Sequence, residues 1–275
     1  MNCGEQATDT PPVSAIAGLF EDDSYHTEPR GFSAVRRWCT WNSAYFYSNF
    51  LRVVRRGAAW TKRGEYTRQN WFDLSYKVVR MLEHNGAVLD VAGLGNIHAV
   101  DGPVVFVSNH MSVLETVVLP CLVLKHSDLC ITLKEQLFDV PVFGTLLKGF
   151  RTISVSRTNP IDDYKKIMKE GSKAISEGYS VLIFPQSTRT TEFSAEDFNT
   201  VGAKLAKRAS APMIPIALKT DFWGRGRIIK DFGPMSRDKK VYFRFGQPIA
   251  VESRNGRDEN QQVIEFIQKN LAQWR

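Results

Sequence analysis

Cysteine is scarce in this 275-residue chain and forms no pattern. Cys3, Cys39, Cys121 and Cys130 make no Cys-x-x-Cys pair and no metal-ligand spacing with the scattered histidines. That excludes a disulfide framework and a structural metal site, and it fits a reducing, cytoplasmic compartment. No apolar run reaches the ~18 residues needed to span a bilayer, and the N-terminus lacks the basic start, apolar stretch and cleavage site of a signal peptide. The expected protein is neither exported nor membrane-integral. There is no Gly-x-Ser-x-Gly elbow and no phosphate-loop Gly-Lys-Ser/Thr, while Gly93-Leu94-Gly95 lacks the third glycine of a dinucleotide fingerprint. Basic residues are nearly missing from positions 1–30, where Glu5, Asp9, Glu21, Asp22, Asp23 and Glu28 face Arg30 alone. With Pro11, Pro12 and few large apolar residues, that segment is expected to be an acidic, poorly ordered tail.

What is present is enough to build a core: 43% of the residues are hydrophobic, and the net charge is +7 with a pI near 9.2. Such a charge suits phospholipid, nucleic acid or the phosphates of a nucleotide carrier, and does not choose among them. Residues 36–56 place basic side chains at both ends of an aromatic stretch. On a 3.6-residue helix, Cys39, Phe46, Tyr47, Phe50, Leu51 and Val54 share one side, with Asn42, Asn49, Arg52 and Arg56 toward the other. Two readings stand: a helix lying in a membrane interface, or one packing its aromatics on the protein's own core. Trp71, Leu74, Val78, Met81 and Leu82 form a second helical stripe that ends near Asn85-Gly86.

After Gly86 the texture changes to short β-rich runs at 87–91, 104–108, 129–133, 152–155 and 180–184, most of them separated by helical segments. Similar runs follow at 212–219 and 241–246, and a last helix covers about 258–274. The pattern predicts an α/β fold: a largely parallel central sheet flanked by helices, preceded by an N-terminal helical pair. Pro212 and Pro215 point to an edge or bulged strand. In such sheets, sites gather at strand C-terminal ends.

Two such ends carry reactive residue types. The run 104–108 leads into Asn109-His110, with Glu115 in the first turn of the next helix. A histidine there can take a proton near neutral pH, and a carboxylate on its other ring nitrogen would set the tautomer. Ser112-x-x-Glu115 also reads as a capping box, in which Glu115 serves a backbone N–H instead. The run 180–184 leads into Gln186, Ser187, Thr188 and Arg189, side chains suited to phosphate oxygens.

Together with Lys134, Pro141, Gly144 and Arg157, and with Pro212 to Pro215, these blocks resemble in order those of the glycerolipid acyltransferase family that includes 1-acylglycerol-3-phosphate acyltransferases. Two positions depart from the family pattern: Glu115 stands where Asp is usual, and Gln186-Ser187 replaces Glu-Gly. The resemblance implies a tail (1–30), a helical membrane-association segment (31–86) and an α/β acyltransferase domain (87–275). It implies acyl transfer from acyl-CoA or acyl carrier protein to a lysophospholipid such as lysophosphatidic acid, with His110 and Glu115 as the general-base unit. Asn109, Lys134, Arg157, Gln186, Ser187, Thr188 and Arg189 are the expected substrate-binding set. No metal, resident cofactor or nucleic acid is called for, and the expected location is the inner face of an anionic membrane. The altered Gln186-Ser187 pair leads us to expect an acceptor other than plain lysophosphatidic acid, or lysophosphatidic acid used alongside other lysophospholipids. A thioesterase and a non-catalytic membrane binder are the competing readings.

Overall fold

The structure, a computed structural model, describes residues 20, 22–27, 43–186, 188–226 and 230–274. Eight strands form one sheet: β1 (Ser24–His26), β2 (Leu89–Ala92), β3 (Val105–Ser108), β4 (Asp128–Lys134), β5 (Thr152–Val155), β6 (Tyr179–Ile183), β7 (Met213–Lys219) and β8 (Val241–Phe245). Their order is β1-β2-β8-β7-β3-β6-β4-β5, and only β1 with β2 and β7 with β8 pair antiparallel. The helices are α1 (Ser43–Arg63), α2 (Arg68–His84), α3 (Gly95–His98), α4 (Leu114–Val123), α5 (Phe143–Leu147), α6 (Pro160–Ser176), α7 (Val201–Ala209) and α8 (Arg257–Gln273).

Alternation along the central strands feeds two cores. Phe106 of β3 and Leu182 of β6 face α1, α2 and α4, while Val105, Val107, Val181 and Ile183 face α6, α7 and α8. Burial on both faces is the reason these strands read as unbroken apolar runs. The N-terminal helical pair is no detached appendage, since Phe46, Val54, Trp71 and Leu82 lie in the same core as the sheet. Within that core the buried Ser75 hydroxyl of α2 inserts into α4. It donates to Val117 O (2.6 Å) and accepts from Cys121 N (3.0 Å), replacing a helical bond beside Pro120.

One of two open readings is chosen for the aromatic segment, the extent of the tail needs correction, and the bulge expected around Pro215 is present. Of the aromatic segment, residues 36–42 lie outside the described residues. The rest turns Phe46 and Phe50 inward against Trp223, while Leu51 is exposed with Arg52, Arg55 and Arg56. The apolar stripe is therefore consumed by the protein's own core. Positions 24–26 of the expected tail are an edge strand, and Thr27 beside it donates to Glu83 of α2 (2.8 Å). Pro215 lies in a central strand, where its missing N–H is tolerated because the register slips: Met213 bridges Ile249 but Ile216 pairs with Phe245, three steps against four.

Strands β7, β3, β6, β4 and β5 are contiguous and parallel, so their C-terminal ends open on one edge. Helix α7 sits close against β3 at Gly202, where a Cβ would stand 2.6 Å from Val107 Cγ2. The valine is β-branched and has little freedom to yield. Gly202→Ala is expected to lower stability by about 1–3 kcal/mol, the usual cost of overpacking. Urea denaturation measures it.

Candidate active site

Beyond Ser108 the chain leaves the sheet, and Asn109 takes up the ladder with its side chain. Its Nδ2 donates to Leu218 O (2.9 Å) and its Oδ1 accepts from Leu218 N (3.0 Å). Asn109 is buried, so the expectation that it binds substrate is corrected: it clasps β7 and holds the next residue in place.

That residue is His110, whose ring stacks on Phe184 at 4.3 Å between centroids. Its Nδ1 lies 2.9 Å from Glu115 Oε1. The same oxygen accepts from Met111 N (2.6 Å) and Ser112 N (2.7 Å). Glu115 Oε2 accepts from Ser112 Oγ (2.9 Å) and Thr220 Oγ1 (2.6 Å). One carboxylate thus serves both the backbone N–H groups ahead of α4 and the histidine, and the longer glutamate side chain reaches both sets of donors. Burial opposes ionisation of Glu115, but the hydrogen bond and charge of His110, with Thr220, outweigh it and hold the carboxyl below the usual range. An ionised carboxylate only accepts, so Nδ1 carries the proton and Nε2 presents a lone pair.

His110 lines a cavity of about 1390 Å³ with two textures. One part is apolar, built from Phe50 and Val54 of α1, Trp71 and Leu74 of α2, and Leu146 and Leu147 of α5. The other carries Lys134 at the end of β4, Arg157 after β5, and Thr188 and Arg189 after β6. Arg157 adopts φ 61°, held by Asp163 in the first turn of α6, which accepts from Ser156 N and Arg157 N (both 2.7 Å). Partial burial and the nearby Arg189 cation lower the Arg157 guanidinium from its ordinary value. Arg189 itself pairs with Asp231.

Residues 88–219 match the family model described as Acyltransferase. That stretch makes the α/β domain similar to acyltransferases. A 1-acyl-sn-glycerol-3-phosphate acyltransferase of Pseudomonas aeruginosa is 33% identical over 175 residues, 64% of this chain and 65% of that protein. The chloroplastic 1-acyl-sn-glycerol-3-phosphate acyltransferase BAT2 of Brassica napus is 31% identical over 143 residues, 51% of this chain and 38% of that one. The chain thus spans less than two thirds of these relatives. The fold is shared with the crystal structure of the 1-acyl-sn-glycerophosphate (LPA) acyltransferase PlsC from Thermotoga maritima. The TM-score is 0.63 at 17% identity, covering 88% of this chain and 98% of that one.

Within this domain the structure brings His110, Glu115, Lys134, Arg157, Thr188 and Arg189 to one sheet edge. Ser187 lies outside the described residues. Gln186 lines the cavity, yet its amide is committed at both ends, Oε1 accepting from His110 N (2.9 Å) and Nε2 donating to Thr190 Oγ1 (2.8 Å). These two bonds tie the loop after β6 to the loop after β3. Thr220 escaped sequence reasoning, although its position just past the 212–219 run marked it as another strand C-terminal end.

Thr220→Val removes one of two donors to Glu115 Oε2 and is expected to cost about 1.5–3 kcal/mol, the range for hydrogen bonds to charged groups. Because Glu115 is depressed on folding, its ionised form contributes stability that is fully present above the ordinary value of 4.5 and lost as pH falls through the lower folded value. Glu115→Gln is therefore expected to show a shallower acid loss of stability below that pH than the parent, read by denaturant melts across the acid range.

Proposed function

We propose that this protein transfers a fatty acyl group from an acyl thioester to the free hydroxyl of a lysophospholipid. The single observation that carries the reading is the His110–Glu115 pair facing a cavity with a cationic part and an apolar part. The relatives' names point to 1-acyl-sn-glycerol-3-phosphate as the acceptor.

The acceptor hydroxyl hydrogen-bonds His110 Nε2 and gives up its proton as its oxygen attacks the thioester carbonyl carbon. Collapse of the tetrahedral intermediate breaks the carbon–sulfur bond, and the departing thiolate takes the proton from the imidazolium. Glu115 stabilises the cation while it exists, so no covalent acyl-enzyme forms. Neither step draws on a resident metal or cofactor. Acyl-CoA and acyl carrier protein present the same thioester, and either serves as donor.

Partial burial and the Arg189 cation disfavour the charge of Arg157, and an acceptor phosphate bound there relieves that repulsion. Lys134 and Thr188 add further donors to oxygen. Head-group choice falls in this reading to these cations, with Gln186 joining the loops that carry them. With a lysophospholipid as acceptor, the proposed location is peripheral, on the inner face of a membrane. Among the described residues no helix is long and apolar enough to cross one.

The decisive assay follows thiol release from an acyl thioester with and without lysophospholipid. Release that depends on the acceptor is expected; acceptor-independent release would mean a hydrolase, and none would mean a binding protein. Glu115→Gln keeps one oxygen for His110, Met111 N and Ser112 N, and its amide donates to the Ser112 and Thr220 hydroxyls, which then accept. It is expected to fold and to lose activity within the ~10²- to 10⁴-fold range of general-base effects, as is His110→Ala. A folded and fully active Glu115→Gln enzyme would sink the dyad.

A further inference from the structure

Between β7 and β8 the chain makes an excursion whose two limbs are clipped together. Trp223 and Met235 form an antiparallel bridge, Gly224 N donates to Pro234 O (2.9 Å), and Ser236 N donates to Phe222 O (2.8 Å). Phe222 and Trp223 are buried, and the indole packs edge-on against Phe46 and Phe50 of α1. From that anchored position Trp223 Nε1 donates to the Asp231 carbonyl (3.0 Å), and the Tyr47 hydroxyl of α1 donates to Gly233 O (2.5 Å). Asp231 is thus set in place by its backbone, whatever its side chain meets.

The side chain meets the cationic part of the cavity, which Asp231 lines together with Lys134, Arg157 and Arg189. Its Oδ1 lies 2.5 Å from Arg189 Nη2. This is one contact to a guanidinium with several N–H donors, so Arg189 keeps the rest of its fork for a ligand. The two side chains are 34% and 43% exposed, and so wet a pair is worth about fivefold at most in an equilibrium constant. Asp231 is therefore poorly explained as a brace for the fold. A carboxylate on the wall of a site built from cations is also at odds with simply binding an anion as tightly as possible. It subtracts from their attraction, and it subtracts in proportion to the charge that the ligand brings, because a Coulomb energy is the product of the two charges.

We infer that Asp231 is a specificity-determining residue that reads the charge of the acceptor head group. It penalises a doubly charged phosphomonoester more than a singly charged phosphodiester, and so keeps both kinds of lysophospholipid within reach of one site. This selectivity rests on the acceptor-phosphate reading of Arg157 and Arg189. A carboxylate that served only to hold Arg189 for the phosphate would have the opposite sign, since its loss would weaken every anionic ligand.

Asp231→Asn keeps the shape of the side chain and the backbone bond to Trp223 while removing the charge. Calorimetry without any thioester measures its binding of hexanoyl lysophosphatidic acid, a phosphomonoester, and of hexanoyl lysophosphatidylglycerol, a phosphodiester. Both are dissolved as monomers at about pH 8, where the monoester carries close to two charges. The variant is expected to bind the phosphodiester about threefold more tightly than the parent does, and the phosphomonoester about ninefold, the square of that factor for twice the charge. Asp231→Ser, which also removes the charge, is expected to raise the monoester more than the diester in the same way. Equal gains for the two ligands, or none, would overturn the inference. So would weaker binding of both, because Asp231 would then be holding Arg189 for the phosphate, and so would a parent protein that binds neither ligand. Acceptor-dependent thiol release by the parent tests acyl transfer on its own.

Discussion

A single buried charge organises the centre of this molecule. The Glu115 carboxylate is fully removed from solvent, a placement that costs several kcal/mol per ion unless its lone pairs are filled. Five donors from residues 110, 111, 112 and 220 fill them. Because those donors belong to the loop after β3 and to the end of β7, the charge cannot be satisfied unless the two loops are correctly placed. The Asn109 clasp on Leu218 joins the same two elements through neutral groups. The fold and the orientation of His110 are therefore set by one interaction, and asking whether Glu115 serves the backbone or a histidine poses a false choice.

The loop after β6 is tied to this centre in turn. Gln186 binds His110 N–H, and Thr190 N donates to His110 O (3.0 Å), so Arg189 is carried on a segment anchored to His110 itself. The distance between His110 and the cations is thus held by backbone contacts on rigid strand ends. This suits an amphiphile whose phosphate and reacting hydroxyl are separated by a few bonds, since orientation of that kind supplies much of an enzyme's advantage. Helices α1 and α2 supply the other half of the cavity from their inward faces, and α1 turns its cations outward.

Most of the fold was legible in the sequence. Short runs rich in Val, Ile and Leu, alternating with helical stripes, marked β2 to β8 because strands buried on both faces tolerate few polar residues. The Ser24–His26 strand was not legible. Its three residues carry no apolar run, and only pairing with β2 makes them a strand. The inward direction of the α1 aromatics was equally hidden, since a stripe facing a core and one facing a membrane have the same periodicity.

At the site, the sequence by itself determined which chemical groups stand at the strand ends: a histidine, a carboxylate five residues on, and cations after three parallel strands. Local spacing is enough for that, because side chains so near in sequence share one loop. Only the tertiary structure decided how those groups are employed. Asn109 and Gln186 turned from substrate toward the backbone, Thr220 joined the carboxylate from more than a hundred residues away, and the five donors converged on Glu115. Buried polar groups must find partners wherever the fold brings them, and those partners come from strands adjacent in the sheet but distant along the chain.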